Sequence, residues 1–216
     1  MQRTCHSLSS IYLVDLGIGN IGSVKKMIQK IGRTPIVLDK PPDLTKRHPI
    51  LIPGVGHFSH ACRSLIDWKI YLNAAFENNF PILGICLGAQ LMCDTSEEGY
   101  GEGLGWLKTT VCRFPKINEN GSVLRVPHMG WQPFTPSQSC FAFPVENGKM
   151  YYAHSFYIKP TKDASYFPYQ LCYGGICFAA AVQTRCALGV QFHPEKSHHH
   201  GMAFLRNWIH YAESIL

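Results

Sequence analysis

The chain has no apolar run long enough to cross a bilayer. Its longest, such as Ile50 to Pro53 and Pro81 to Leu87, span only a few residues, against roughly 20 for a spanning helix. It also lacks internal repeats, low-complexity tracts and any linker long enough to split domains. Blocks of like charge are missing too. The formal charge of +6 is scattered, with doublets such as Lys25-Lys26 and Lys46-Arg47, which reads as a solvated surface rather than a nucleic-acid site. Charged residues make up only 16% of the chain, too few for disorder, and the 46% hydrophobic content is ample for one core. No CxxC occurs, so zinc and thioredoxin-like chemistry have no support. The nine cysteines form an odd set without framework spacing, which suggests free thiols in a reducing, cytoplasmic setting. Residues 1–10 lack the apolar core of an export signal and are expected to be a short extension before a domain over 11–216.

What is present is an alternation of strand and helix signals. Strands are expected at Ile11 to Val14, Thr34 to Leu38, Ile50 to Ile52 and Pro81 to Ile85. Between them, Val24, Met27, Ile28 and Ile31 mark one face of a helix over Ser23 to Ile31. A second helix is expected over Leu65 to Asn78 and a third from about Gly88. Strands apolar on both faces and separated by helices predict an α/β fold, with a mostly parallel central sheet flanked by helices. The later part reads as hairpin-like strands at Met150 to Ile158, Gln170 to Tyr173 and Ile176 to Gln183. A strand over Leu188 to Phe192 then leads to a closing helix, His199 to Tyr211, with Ser197 as its N-cap.

The sharpest chemical signal is Gly84-Ile85-Cys86-Leu87-Gly88, at a strand-to-helix junction. A nucleophile on such an elbow has strained backbone angles, so its close neighbours must lack side chains. Glycines at 84 and 88 meet that demand. The helix N-terminus favours negative charge on Cys86 and offers the Leu87 N–H to an oxyanion. A base is available in Gly189-Val190-Gln191-Phe192-His193-Pro194-Glu195-Lys196-Ser197. In an extended segment, positions i and i+2 share a side. Glu195 is therefore placed to orient His193, which serves as base and then as acid. Pro53-Gly54-Val55-Gly56 follows a buried strand and is able to turn a peptide N–H inward; alone, it reads as an ordinary strand-ending turn. His198-His199-His200 carries little metal signal, because consecutive helical residues face different directions.

Together, PGVG, GICLGAQ and GVQFHPEKS resemble the class I (triad) glutamine amidotransferases, over nearly all of residues 11–213. That resemblance implies a flavodoxin-like fold, with Cys86, His193 and Glu195 as the catalytic triad. It implies Gly54, Val55 and Leu87 as oxyanion donors, and Gln90, Glu98, His154, Ser155 and Phe156 as the glutamine site. Neither a cofactor nor a metal is expected. Asp15 to Asn20, Ser96 to Gly99, Pro127 to Trp131 and His154 to Tyr157 resemble, more narrowly, the glutaminase subunits of imidazole glycerol phosphate synthase. The implied partner is a (β/α)8-barrel cyclase in a heterodimer, met by Asn20, Trp131 and Lys196, with no nucleic acid or membrane involved. Three positions depart from the family pattern: Gln132 where Asn is usual, Phe156 where Tyr is common, and Ala89 for Met. Paralogues that supply ammonia for amidino-sugar formation in surface polysaccharide are the alternative reading. Cysteine peptidases and γ-glutamyl hydrolases fit less well, having no role for Ser96-Glu97-Glu98 or for Pro127 to Trp131, and an intact Cys86, His193 and Glu195 argues against a silent regulatory subunit.

Overall fold

The computed structural model describes residues 10–118, 120–134, 148–162 and 167–216. Cys5 and Cys140, and all of the N-terminal extension except Ser10, lie outside them. Ser10 already belongs to the first strand, β1 (Ser10–Val14). The other strands of the main sheet are β2 (Thr34–Leu38), β3 (Ile50–Gly54), β4 (Ile82–Cys86), β10 (Tyr169–Tyr173), β11 (Ile176–Thr184) and β12 (Ala187–Val190). Their order is β10-β11-β12-β4-β3-β1-β2. Pairings from β2 through to β12 are parallel, while β10 and β11 add an antiparallel edge. The mostly parallel α/β sheet is thus as expected.

The pleat sends alternate residues to opposite faces, and two cores follow from it. Tyr12, Val14, Ile50, Ile52 and Ile82 face helix α2 (Phe58–Glu77). Ile11, Leu13, Leu51, Leu83 and Ile85 face α1 (Ile21–Lys30) and α4 (His198–Ser214). α1 buries Val24, Met27 and Ile28 and is started by Asn20, whose side chain accepts from the Ser23 N–H at 3.3 Å. Its far end is tied to α4 by a two-point ion pair of Arg33 with Glu213.

Several expectations need correction. The helix from Gly88 is one turn only, α3 (Leu87–Gln90), because the chain turns at once into β5 (Cys93–Ser96). The hairpin-like stretch Met150 to Ile158 is two strands in different sheets. β8 (Gly148–His154) pairs with β7 (His128–Phe134) as a ribbon, and β9 (Phe156–Ile158) pairs with β6 (Leu107–Arg113). Ser197 occupies the N-cap position of α4, but its hydroxyl makes no cap bond. Finally, Cys172 and Cys177 are directly opposed across the Gly174-Gly175 turn and form a disulfide. The all-thiol reading therefore fails, since sequence spacing alone does not reveal which cysteines a hairpin register will oppose.

Candidate active site

The expected nucleophile, Cys86, stands on an elbow where β4 passes into α3. Cys86 has φ 52° and ψ −107°, a left-handed conformation that a non-glycine residue adopts only when its surroundings impose it. The surroundings are backbone. A Cβ on Gly88 would collide with the Ile52 carbonyl, and one on Gly84 would meet the Gly88 carbonyl group. β3 also approaches closely: Gly54 is paired with Cys86, and a Cβ there would lie 2.8 Å from the Gly88 nitrogen. The glycines therefore let β3, β4 and α3 pack main chain to main chain. Leu87 is the first residue of α3, so its N–H has no partner within the helix.

His193 arrives from the opposite end of the chain. β12 runs beside β4 in parallel register, Val190 opposite Ile85, which delivers the following residues to the elbow. The His193 backbone is held on both sides, its N–H donating to the Tyr151 carbonyl at 2.9 Å. Its carbonyl accepts from the Ser197 hydroxyl at 2.6 Å, and that hydroxyl also accepts from the Tyr151 N–H at 3.0 Å. This bridge is what occupies Ser197 in place of a cap. The His193 side chain is 2% exposed and its Nδ1 lies 2.8 Å from Glu195 Oε1. Burial disfavours the charged ring. The charge and hydrogen bond of Cys86, with those of Glu195, outweigh it and push the His193 pKa up to about 10. The other Glu195 oxygen is buried with no partner among the described residues.

A cavity of about 220 Å³ opens onto the sulfur, below the roughly 300–1,000 Å³ of sites for drug-sized ligands and suited to one small amino acid. Val55, Leu87, Gln90, Glu98, His154, Ser155 and Phe156 all line it with Cys86. Gly54 does not line it; it forms the floor under the elbow. Gly56, with φ +124° and nothing within 4 Å of where a Cβ would stand, is the conformationally free glycine of the segment. Glu98 accepts from the Phe58 N–H at the start of α2 at 2.9 Å. Burial raises its pKa, opposed by that bond and by His57 and Arg113.

Asn20, Trp131 and Lys196 lie outside the cavity, on the surface. Trp131 stacks flat on His198, 8° between planes. His198 and Lys196 line a cleft of about 490 Å³ with Ser23 and Lys26 of α1. These surface residues thus share one face, and Glu195 lines the same cleft. Sequence reasoning passed over Gln191, which accepts from Gln90 at 3.1 Å and donates to Cys86 Sγ at 3.5 Å. Its position two residues before His193 on an extended stretch was the available signal.

A cysteine on a strained elbow, a buried histidine–carboxylate pair and a small cavity thus lie together at the carboxyl end of the sheet. The glutamine amidotransferase class-I family matches residues 12–211, and the chain belongs to that family. It is 37% identical to imidazole glycerol phosphate synthase subunit HisH of Geobacillus kaustophilus, over 92% of this chain and 95% of that one. Against the HisH subunit of Microcystis aeruginosa it is 35% identical, over 96% and 98%. Among solved structures it is similar to PurLQS from Thermotoga maritima, with TM-score 0.71 at 17% identity, covering 94% of this chain and 98% of that one. That last likeness concerns the fold alone.

Proposed function

We propose that the chain is the glutaminase subunit of an imidazole glycerol phosphate synthase, with residues 11–216 as its single domain. The observation that carries this reading is the strained Cys86 facing His193–Glu195 beside a cavity for one amino acid. The Cys86 thiolate attacks the side-chain carbonyl carbon of glutamine. The Leu87 N–H, with the N–H of the Gly54–Val55 peptide turned inward, stabilises the oxyanion that forms. His193 gives its proton to the departing nitrogen, and ammonia leaves a γ-glutamyl thioester on Cys86. His193 then takes a proton from water, which attacks the thioester and releases glutamate and the thiolate. Glu195 keeps the imidazole oriented throughout. Gln90, Glu98 and the His154-Ser155-Phe156 run hold the substrate, with the Glu98 carboxylate suited to its α-ammonium group.

Ammonia in water is mostly protonated at neutral pH and then is no nucleophile. A sheltered route to an acceptor on a second subunit is therefore required. A cyclase of (β/α)8-barrel type, docked over Asn20, Trp131 and Lys196 in a heterodimer, would supply it in the cytoplasm. There the ammonia would go into imidazole glycerol phosphate and aminoimidazole carboxamide ribotide. The test pairs Cys86→Ala with that cyclase. Synthase activity with glutamine should vanish, activity with ammonium salts should survive, and a histidine auxotroph lacking this subunit should be rescued by the wild-type chain. Equal loss with both nitrogen sources would overturn the chemistry, and failure to rescue would overturn the pathway.

A further inference from the structure

Beyond the triad, a half-buried glutamine and two buried histidines lie along one line. Gln132 Nε2 is 3.2 Å from His128 Nε2, His128 Nδ1 is 2.9 Å from His154 Nε2, and His154 Nδ1 is 2.8 Å from the Phe156 carbonyl oxygen. The direction of this line is decided at its end. A carbonyl only accepts, so His154 Nδ1 carries the proton. A neutral imidazole has one donor and one acceptor. His154 Nε2 therefore accepts from His128 Nδ1, and His128 Nε2 accepts from the Gln132 amide. Both rings are then neutral Nδ1–H tautomers. Their surroundings agree: Phe114, Tyr152 and Phe178 pack around them, and burial pushes the pKa values down to about 4 for His128 and about 3 for His154.

The Phe156 carbonyl has two lone pairs, and the second is taken by Gln90 Nε2 at 3.0 Å. The other Gln90 hydrogen goes to Gln191, which in turn donates to Cys86. A continuous set of directed hydrogen bonds thus runs from the β7–β8 ribbon, past the cavity wall, to the nucleophile. We propose that Gln132, His128 and His154 are positioning residues, a one-way relay that holds the Ser155–Phe156 wall and so sets the affinity for glutamine. The identity of the substrate rests on the glutaminase reading; the tautomers do not.

The test is long-range ¹H–¹⁵N correlation NMR on the labelled full chain at neutral pH, with glutaminase kinetics of two variants. In the wild type, both rings should show a proton on Nδ1 and a bare Nε2. Gln132→Met keeps the length but removes the donor. Gln132→Glu puts an acceptor against His128 Nε2, which forces the proton there and turns two lone pairs toward each other between the rings. Gln132→Glu should shift the His128 tautomer or charge and raise the KM for glutamine about tenfold, the scale of one buried hydrogen bond, with a smaller change in kcat. Gln132→Met should do the same to a lesser degree. An Nε2–H tautomer or a charged ring in the wild type would overturn the relay. So would an unchanged KM in both variants. A chain that hydrolyses no glutamine even when paired with its cyclase would instead sink the functional reading and leave the tautomer result standing.

Discussion

The two halves of the proposed catalytic machinery are held in place by different means. Cys86 is fixed by backbone shape, because glycines at 54, 84 and 88 let three segments touch and impose a left-handed angle on one residue. His193 sits on ordinary extended backbone, φ −105° and ψ 94°, and is fixed by polar groups drawn from elsewhere. Tyr151 and Ser197 clamp its main chain and Glu195 its ring. Shape tolerates no substitution that adds a carbon. A polar clamp fails by degrees, one bond at a time. The nucleophile end should therefore break through folding and the base end through rate.

The largest expected effect tests the base end. Glu195→Gln should lower kcat by up to about 10⁴-fold, the scale seen when the orienting acid of a serine triad is neutralised, while the melting temperature stays near the wild-type value. Steady-state glutaminase assays with thermal denaturation check both. Loss of folding together with rate would erase the contrast.

Next comes the nucleophile end. Gly88→Ala drives a Cβ into the Ile52 carbonyl, so it should destabilise by several kcal/mol, as severe backbone clashes do, and abolish activity with the fold. Gly56→Ala meets no atom within 4 Å but sits at φ +124°. It should disturb the Val55 peptide and cut kcat by about 10²-fold, the scale of one oxyanion donor, with a much smaller loss of stability. Denaturant titration and kinetics on both variants separate the packing glycine from the conformational one.

Ser197→Ala should cost less. It removes the bridge between the Tyr151 N–H and the His193 carbonyl; the carbonyl keeps the Lys196 N–H at 3.0 Å, but the Tyr151 N–H loses its partner, at about 1–3 kcal/mol. A drop in kcat of roughly tenfold, about 1.4 kcal/mol of transition-state stabilisation, should accompany it because the His193 main chain loses one side of its clamp. An unchanged kcat in a destabilised protein would make the clamp purely structural.

The smallest effect distinguishes the histidines by pH. His128 and His154 have folded pKa values below the unfolded 6.5, so below pH 6.5 the unfolded chain binds protons that the folded chain refuses. Their contribution to stability is full above pH 6.5 and is lost as pH falls toward about 4 for His128 and about 3 for His154. His193 has the opposite sign: its raised pKa contributes fully below pH 6.5 and is lost as pH rises toward about 10. Urea midpoints at pH 7 and pH 5 should show the acid loss, and His128→Gln should reduce it.

The elbow was legible because its cause is local. Two glycines flanking a cysteine at a strand–helix junction state their geometry in five residues, and His-Pro-Glu does the same in three. Gln191 was legible in principle by its spacing from His193, yet nothing in the residue type announced a contact with sulfur. The break at Ser155, the single-turn α3 and the Cys172–Cys177 bond were not legible. The first two depend on which strand lies alongside, a tertiary outcome, whereas the disulfide joins cysteines only 5 residues apart and depends on the local register of the Gly174-Gly175 hairpin.

By itself, the order of residues determined the alternating strands and helices, the two apolar faces of the sheet and the strained site of the nucleophile. Period, propensity and glycine all act over a few residues. Only the tertiary structure decided that Tyr151 and Ser197 hold the base, that Gln191 meets the thiol, and that Gln132, His128 and His154 align. A hydrogen bond needs its two partners within about 3 Å at the right angle, and no spacing along a chain supplies that for residues on different strands.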